Sequence, residues 1–399
     1  MTNPPTLSKE DRRRIDMSRK LAAQYNLEVC YDSTIGVYLK AKRDYNVGDL
    51  VLREREEFVC DLQQWDTIDD DKIPSLFPKY QQLSHSQLMK VPYLKNEVKS
   101  LVRDSSLSYD QAVQFIALLM LNAVGCDCCG LKLFPLISKM MHSCSPNCFL
   151  IDKKDDEAVR IIATKPIKNG DIITRSYITN DDLFWGSGVR KEYIEKFMHF
   201  TCFCERCIMV DYFDCFLCDE CSGDICFFQF NHHDDVVDIL NEYKCIGCNA
   251  LYEEENLPLD LSFELENIAF QVKAKYEKQI YCNKAENGQL LTELIIKSTR
   301  RLGPRHWCTI IFMEAYIFHY FHHFRKPIPV VVKFVLLLLE FYATVLYKVC
   351  PMAASSRMDE LLEWYAVPSK HINTLFPYYK LSEDCKNMDR WKKLTTHYE

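Results

Sequence analysis

The 399-residue chain is 48% hydrophobic and 26% charged, an ordinary composition for a folded protein. With only 11 Gly and 15 Pro it is neither collagen-like nor broadly disordered. At about 150 residues per domain it should hold roughly two or three structural units. Forty-nine basic and 56 acidic side chains leave a net charge of −7, which argues against a non-specific nucleic-acid binder and suits basic protein partners better.

Residues 8–28 read as a polar helix. Residues 35–60 alternate, and Asn46-Val47-Gly48-Asp49 marks a turn between two strand-like runs. Residues 61–72 are acidic and turn-rich. Helical periodicity covers 73–122 and closes in the apolar run Ala112–Leu121. Residues 131–178 return to short strands, with turns at Ser145-Pro146-Asn147 and Lys168-Asn169-Gly170-Asp171. Residues 198–250 are Cys-rich and irregular, and 258–399 are helical, with breaks near Asn287-Gly288, Gly303-Pro304 and Pro327. Within the apolar stretch 327–350, Lys333 and Glu340 share one helix face. A membrane span wants about 20 predominantly apolar residues, so a buried helix is expected here instead. The opening MTNPPTLSKEDRRR has no apolar run, and no secretory leader is expected. Its short KEDRRR stretch is too weak for a nuclear signal.

Fourteen of the 20 cysteines lie between Cys126 and Cys248. Without an oxidising compartment, such a cluster reads as metal ligands rather than disulfides. Cys202-x-Cys204-x2-Cys207 places three thiols around one ion, and tetrahedral zinc wants a fourth. A lone Cys on a distant loop is the natural supplier, and His142-Ser143-Cys144-Ser145-Pro146-Asn147-Cys148 offers two. Cys218-x2-Cys221 and Cys245-x2-Cys248 form paired knuckles for a second zinc, with Cys215, Cys226, His232 and His233 close enough in sequence to substitute. Gly170-Asp171-Ile172-Ile173-Thr174-Arg175-Ser176-Tyr177 is a turn launching a strand that ends in Tyr. Cys126-x-Cys128-Cys129 reads as structural thiols, His319-x2-His322-His323 as a packed or solvated helix face, and Asp69-Asp70-Asp71 as a solvated loop.

Taken in order, Gly36-Val37-Tyr38-Leu39-Lys40-Ala41, Met141 to Cys148, Gly170 to Tyr177 and Cys202-x-Cys204-x2-Cys207 resemble the SET domain of protein lysine methyltransferases with its post-SET zinc site. Gly130-Leu131-Lys132-Leu133-Phe134-Pro135-Leu136-Ile137-Ser138 and, less specifically, Leu302-Gly303-Pro304-Arg305-His306-Trp307 resemble the SMYD (SET-and-MYND) subfamily. The resemblance implies an α+β fold: a SET-type β-rich core with a pseudoknot and helical insert, a Cys-rich zinc segment, and an all-helical tetratricopeptide-like C-terminal domain. The expected divisions are 1–60 (N-terminal helix and first SET strands), 61–125 (helical insert), 126–197 (core SET), 198–257 (post-SET and second zinc segment) and 258–399 (helical domain). No Cys falls within 61–125, so the MYND finger is expected to be absent.

By the same resemblance, Cys144 joins Cys202, Cys204 and Cys207 on one zinc; the spacing of Cys218, Cys221, Cys245 and Cys248 assigns them to another. Tyr177 is the catalytic residue. Gly36, Asn122, Met141, His142, Tyr177 and Phe200 contact S-adenosylmethionine, with Phe200 stacking on its adenine. Methyl transfer is an in-line displacement by a neutral amine, which needs alignment more than a strong base. The sequence departs from the family where Tyr38 replaces the second Gly of Gly-x-Gly, where Met141 replaces the Asn before His-Ser-Cys, and at Val124 and Met198. Two function classes follow. One is a cytoplasmic or nuclear, monomeric protein-lysine methyltransferase acting on histones or other proteins, with no membrane or nucleic-acid partner. The other is a catalytically impaired SET scaffold working through protein–protein interaction or transcriptional regulation.

Overall fold

The computed structural model describes residues 9–32, 35–60, 69–80, 94–126, 130–152, 158–179, 182–208, 211, 213–221, 225–229, 242–245, 247–277 and 285–324, with short pieces between 334 and 361. Its contacts divide at Tyr177 and Ile178 into two compact units.

The first unit opens with helix α1 (Lys9–Gln24), then β1 (Leu27–Asp32), antiparallel to β2 (Gly36–Ala41) in the register Leu27↔Ala41 to Asp32↔Gly36. The helix thus ends before residue 28. Asn26 turns the chain with φ 55°, a conformation Asn tolerates at helix ends, and buried Leu27 and Val29 alternate with exposed Glu28 as a strand requires. Strand β3 (Leu50–Glu54), β9 (Val159–Ala163) and β8 (Cys148–Ile151) form one antiparallel sheet with β9 in the middle. A second runs β4 (Phe58–Cys60), β6 (Gly130–Leu133) and β5 (Val124–Cys126). The chain between β4 and β5 carries helices α2 (Ile73–Leu76), α3 (Leu94–Asp104) and α4 (Tyr109–Asn122). Helix α4 starts in a reciprocal cap: Gln111 N–H donates to Ser108 Oγ (3.3 Å), and Ser108 N–H donates to Gln111 Oε1 (3.0 Å). It buries Phe115, Leu118 and Leu119 in a core shared with Phe58, Tyr80, Leu101 and Leu133. A separate core of Leu27, Val29, Leu39, Leu52, Phe134 and Ile161 joins the first strands to the β3-β9-β8 sheet. Two short strands, β7 (Met141–His142) and β10 (Thr174–Arg175), pair in parallel as Thr174↔Met141 and Arg175↔His142.

The second unit contains α5 (Ser187–Met198), α6 (Glu205–Ile208), and an antiparallel sheet in chain order of β11 (Phe216–Leu217), β12 (Ile225–Gln229), β13 (Glu242–Cys245) and β14 (Leu251–Tyr252). The Cys-rich region read as irregular is therefore a sheet whose strands are too short to show alternation. Helices α7 (Leu259–Glu277), α8 (Ala285–Arg301) and α9 (Trp307–Phe324) follow, with α9 packed on both α7 and α8. Gly303 and Pro304 break the helical run as expected, but Asn287 and Gly288 lie inside α8, where Gly288 faces His319 of α9. A Cβ at Gly288 would sit 3.2 Å from His319 Nε2. His319 is buried, while the side chains of Cys126, His322 and His323, much of 327–350, and Cys128 and Cys129 fall outside what is described. Among the described residues no helix is long and apolar enough to cross a membrane.

Candidate active site and metal-binding thiols

In the first unit, the chain from Met140 to Asn147 is tied along its length to the strand ending at Tyr177. Met141 N–H donates to Ile173 O (3.3 Å), and Ser143 N–H to Arg175 O (3.0 Å). Asn147 closes the turn. Its Nδ2 donates to Ile172 O (2.8 Å), and its Oδ1 accepts from Thr174 N–H (2.8 Å) and Thr174 Oγ (3.0 Å). Its own carbonyl accepts Thr164 N–H (2.8 Å). Strand β2 borders the same segment, with Ile173 N–H donating to Leu39 O (2.9 Å) and Ala41 N–H to Asp171 O (2.9 Å).

Tyr177 is held at both ends by this segment. Its hydroxyl donates to Met140 O at 2.6 Å, and its backbone N–H donates to His142 Nδ1 at 3.0 Å. With Nδ1 accepting, the neutral imidazole carries its proton on Nε2, which lies 3.3 Å from Cys144 Sγ and donates to it. The His142 and Tyr177 rings are 5.2 Å apart. Burial raises the Tyr177 hydroxyl above its ordinary range, with Arg175 only partly opposing it, so the tyrosine is a neutral donor at physiological pH. Buried Glu54, at the end of β3, caps the turn leading into this segment, accepting Leu136 N–H (2.8 Å) and Ile137 N–H (2.9 Å). Burial raises its carboxyl to about 7 despite those two bonds.

The remaining residues of the first unit expected at the cofactor stand as follows. Gly36 opens β2 with φ 80°. Tyr38 is half-buried opposite Cys30. Met141 is half-buried on β7. Asn122 is buried in the last turn of α4, where its Nδ2 donates to Leu118 O (2.8 Å).

In the second unit, His199 ends α5 in a left-handed conformation, and the ring of Phe200 is exposed just after it. Cys202, Cys204 and Cys207 follow, their thiols within 4.8 Å of one another. Cys207 N–H and Ile208 N–H both donate to Cys204 O (2.8 and 3.2 Å), the turn that brings the ligand spacing together. Arg190 Nη2 donates to Cys207 Sγ at 3.7 Å. Arg190 and Arg206 share the single carboxylate of Asp211, at 2.6 and 3.2 Å. Burial alone would raise Asp211, but the two guanidiniums outweigh it and hold the carboxyl below its ordinary range.

Cys218 and Cys221 follow β11, and Cys245 and Cys248 flank the β13–β14 turn. The four thiols lie within 4.8 Å of one another, with Cys218–Cys248 at 3.6 Å and Cys221–Cys245 at 3.5 Å. A zinc tetrahedron with Zn–S bonds of about 2.3 Å has edges of roughly 3.8 Å, so this donor set fits the ion. Tyr252 accepts Asp219 N–H (3.2 Å) and donates its hydroxyl proton to Cys218 Sγ (2.9 Å). Burial opposes ionisation of Cys218, yet Tyr252, Cys221 and neighbouring backbone N–H groups bring it down to about 6. The long gap between the knuckles accommodates β12. Cys215 is buried and is not one of the four thiols of this cluster, the Cys226 side chain is not described, and His232 and His233 fall outside the described residues.

A third group, Asp214, Glu266 and His306, was not read as a cluster from sequence; its donor atoms lie within 4.8 Å of one another. The hydrogen bonds order it without a metal. Cys308 N–H donates to His306 Nδ1 (3.3 Å), leaving the proton on Nε2, which faces Ser262 Oγ (3.4 Å). Ser262 Oγ in turn donates to Glu266 Oε1 (3.1 Å). The imidazole has no lone pair left for an ion. Burial pushes His306 down to about 3 and Glu266 up to about 7. Asp214 serves the start of α5, accepting Ser187 N–H (3.1 Å) and Ser187 Oγ (3.0 Å). Only Gly fits at the cap, because a Cβ on Gly186 would lie 2.7 Å from Asp214 Cγ.

A SET domain model matches residues 36–178. The stretch that ties β7 to Tyr177 therefore lies within the matched residues. Relatives of this chain are SET and MYND proteins. One SET and MYND domain-containing protein of Dictyostelium discoideum is 33% identical over 114 residues, covering 25% of this chain and 32% of that one. N-lysine methyltransferase SMYD2-B of Danio rerio is 37% identical over 78 residues, covering 20% and 17%. SET domain and MYND-type zinc finger protein 6 of Schizosaccharomyces pombe is 31% identical over 81 residues, covering 20% and 16%. These matches span a third or less of the relatives' own lengths. Among solved structures, the SET domain of LSMT bound to lysine and AdoHcy matches at 13% identity with a TM-score of 0.36, covering 79% of this chain and 92% of that one.

Proposed function

We propose that the protein is an S-adenosylmethionine-dependent protein-lysine N-methyltransferase. The observation that carries this reading is the double hold on Tyr177, hydroxyl to Met140 O and N–H to His142 Nδ1, inside the SET match. The first unit's donors suit the cofactor: the backbone around His142 and two oxygens, Tyr177 Oη and Met140 O, able to align a polarised methyl group; Phe200 is proposed to stack on the adenine. S-adenosylmethionine, when bound, supplies the methyl group on a sulfonium. The chain's residues supply alignment. Tyr177, neutral and fixed, presents a hydroxyl that orients a lysine amine, while the burial around it favours the uncharged amine the displacement needs. Cys144, Cys202, Cys204 and Cys207 are proposed to hold one zinc, supported by the His142 Nε2 proton directed at Cys144 Sγ and by Arg190 at Cys207. Cys218, Cys221, Cys245 and Cys248 hold another. Gly36, Asn122 and Met141 are proposed to line the cofactor pocket, and helices α7–α9 to form the tetratricopeptide-like domain. The protein is proposed to work as a monomer on protein substrates in the cytoplasm or nucleus.

The test is transfer of radiolabelled methyl from the cofactor to proteins of a cell extract. The wild type should label a protein band and Tyr177→Phe should lose most of the label; equal labelling by both refutes the role of Tyr177. Met141 favours a second reading, a SET scaffold retained for partner binding. A thioether cannot make the charge-assisted hydrogen bonds of an amide at the methionine end of the cofactor, a loss of about 1.5–3 kcal/mol.

A further inference from the structure

Arg175 ends β10, two residues before Tyr177. Its Cζ lies 4.4 Å from the centre of the Tyr177 ring, and its Nη1 donates to Ser176 O at 3.2 Å. Its Nε is buried and meets no acceptor among the described residues, where no carboxylate pairs with the guanidinium. The buried arginines of the second unit differ: Arg190 and Arg206 share Asp211, and Arg357 faces Glu314 at 3.9 Å. A guanidinium stays charged at any physiological pH, and removing it from water without a counter-charge is costly. Stacking on the Tyr ring occupies its face and Nη1 holds Ser176 O, which leaves Nη2 as the donor able to receive a carboxylate. Arg175 shares a side with Tyr177, whose ring its guanidinium covers. Thr174 faces the other way, into Asn147. The cation therefore stands with Tyr177 and His142, rather than with Met141, which pairs with Thr174.

We infer that Arg175 receives a carboxylate flanking the methyl-accepting lysine, so that the site selects lysines next to Asp or Glu. This rests on the methyltransferase reading of Tyr177 and adds to it a substrate class. The opposing source is the carboxylate of the cofactor itself, and the experiment separates the two.

Two peptides, Ac-Glu-Lys-Glu-NH2 and Ac-Gln-Lys-Gln-NH2, are titrated calorimetrically into the zinc-replete full chain with S-adenosylhomocysteine present. S-adenosylmethionine is titrated alone in parallel. The wild type should bind the acidic peptide about tenfold or more tightly, the size expected of a charge-assisted contact. Arg175→Leu should bind both peptides alike while keeping its cofactor affinity. Should Arg175→Leu fail to fold, Arg175→Lys carries the test and should show a reduced preference. Equal binding of the two peptides by the wild type, binding of neither, or a preference that survives in Arg175→Leu overturns the inference. A variant that loses cofactor affinity without any change in peptide preference assigns the carboxylate to the cofactor and overturns it too. Cofactor binding without peptide discrimination defeats the substrate class and leaves the methyltransferase reading standing. Peptide discrimination without cofactor binding does the reverse.

Discussion

Replacing Asn147 by Ala should loosen the hold on Tyr177 from a distance. The Asn147 side chain is half-buried and makes three hydrogen bonds to the strand ending at Tyr177: to Ile172 O at 2.8 Å, from Thr174 N–H at 2.8 Å, and with Thr174 Oγ at 3.0 Å. Truncation leaves the Ile172 carbonyl and the Thr174 N–H without those partners. At about 1 kcal/mol for each lost bond, with more for groups left unsatisfied, the local cost is roughly 2–4 kcal/mol. Hydrogen exchange reads this at the amides of Ser143 and Tyr177. Their own acceptors, Arg175 O and His142 Nδ1, are untouched by the substitution. Their exchange should quicken roughly 30- to 1000-fold, since each 1.4 kcal/mol is a factor of ten. Asn147→Asp keeps the acceptor for Thr174 but sets a carboxylate against the Ile172 carbonyl, and should be about as harmful. Protection at Ser143 and Tyr177 unchanged within about threefold would refute the idea that this turn clamps the two segments.

Metal analysis should find zinc, with one equivalent lost in Cys204→Ser and another in Cys221→Ser. Tyr252→Phe, which removes the proton donor to Cys218, should release the second zinc at a higher pH during acid titration; identical release curves would count against that hydrogen bond. Glu54, held near 7 in the fold against an ordinary carboxyl of about 4.5, stabilises the folded state most below about pH 4.5, and that contribution is lost as pH rises through about 7. From pH 5 to pH 8 the unfolding free energy should therefore fall by about 2.5 kcal/mol more in the wild type than in Glu54→Gln. Equal pH slopes would show that Glu54 ionises freely in the fold.

What the sequence revealed and what it concealed divide along physical lines. Thiol spacings are legible because a metal imposes them on short stretches of chain, and both Cys-x2-Cys knuckles converge as their spacing requires. His142 and Tyr177 are legible as residue types in a motif. Their closest partners are not, because the Met140 carbonyl and the Tyr177 N–H belong to the backbone and carry no residue signature. Helix α5 begins in a Gly with no side chain to cap it, and its carboxylate arrives from Asp214, 27 residues after Ser187, a separation no local pattern spans. The Cys-rich sheet was hidden because β11 and β14 are two residues long. Gly288 reads as a break, yet in α8 it makes room for His319.

The most direct measurement is calorimetric titration of S-adenosylmethionine into the zinc-replete wild type and Met141→Asn. Binding by the wild type, tightened roughly 10- to 150-fold in the variant by the restored amide hydrogen bonds, is the predicted result. Binding by neither protein would contradict the assignment of this site to methyl transfer.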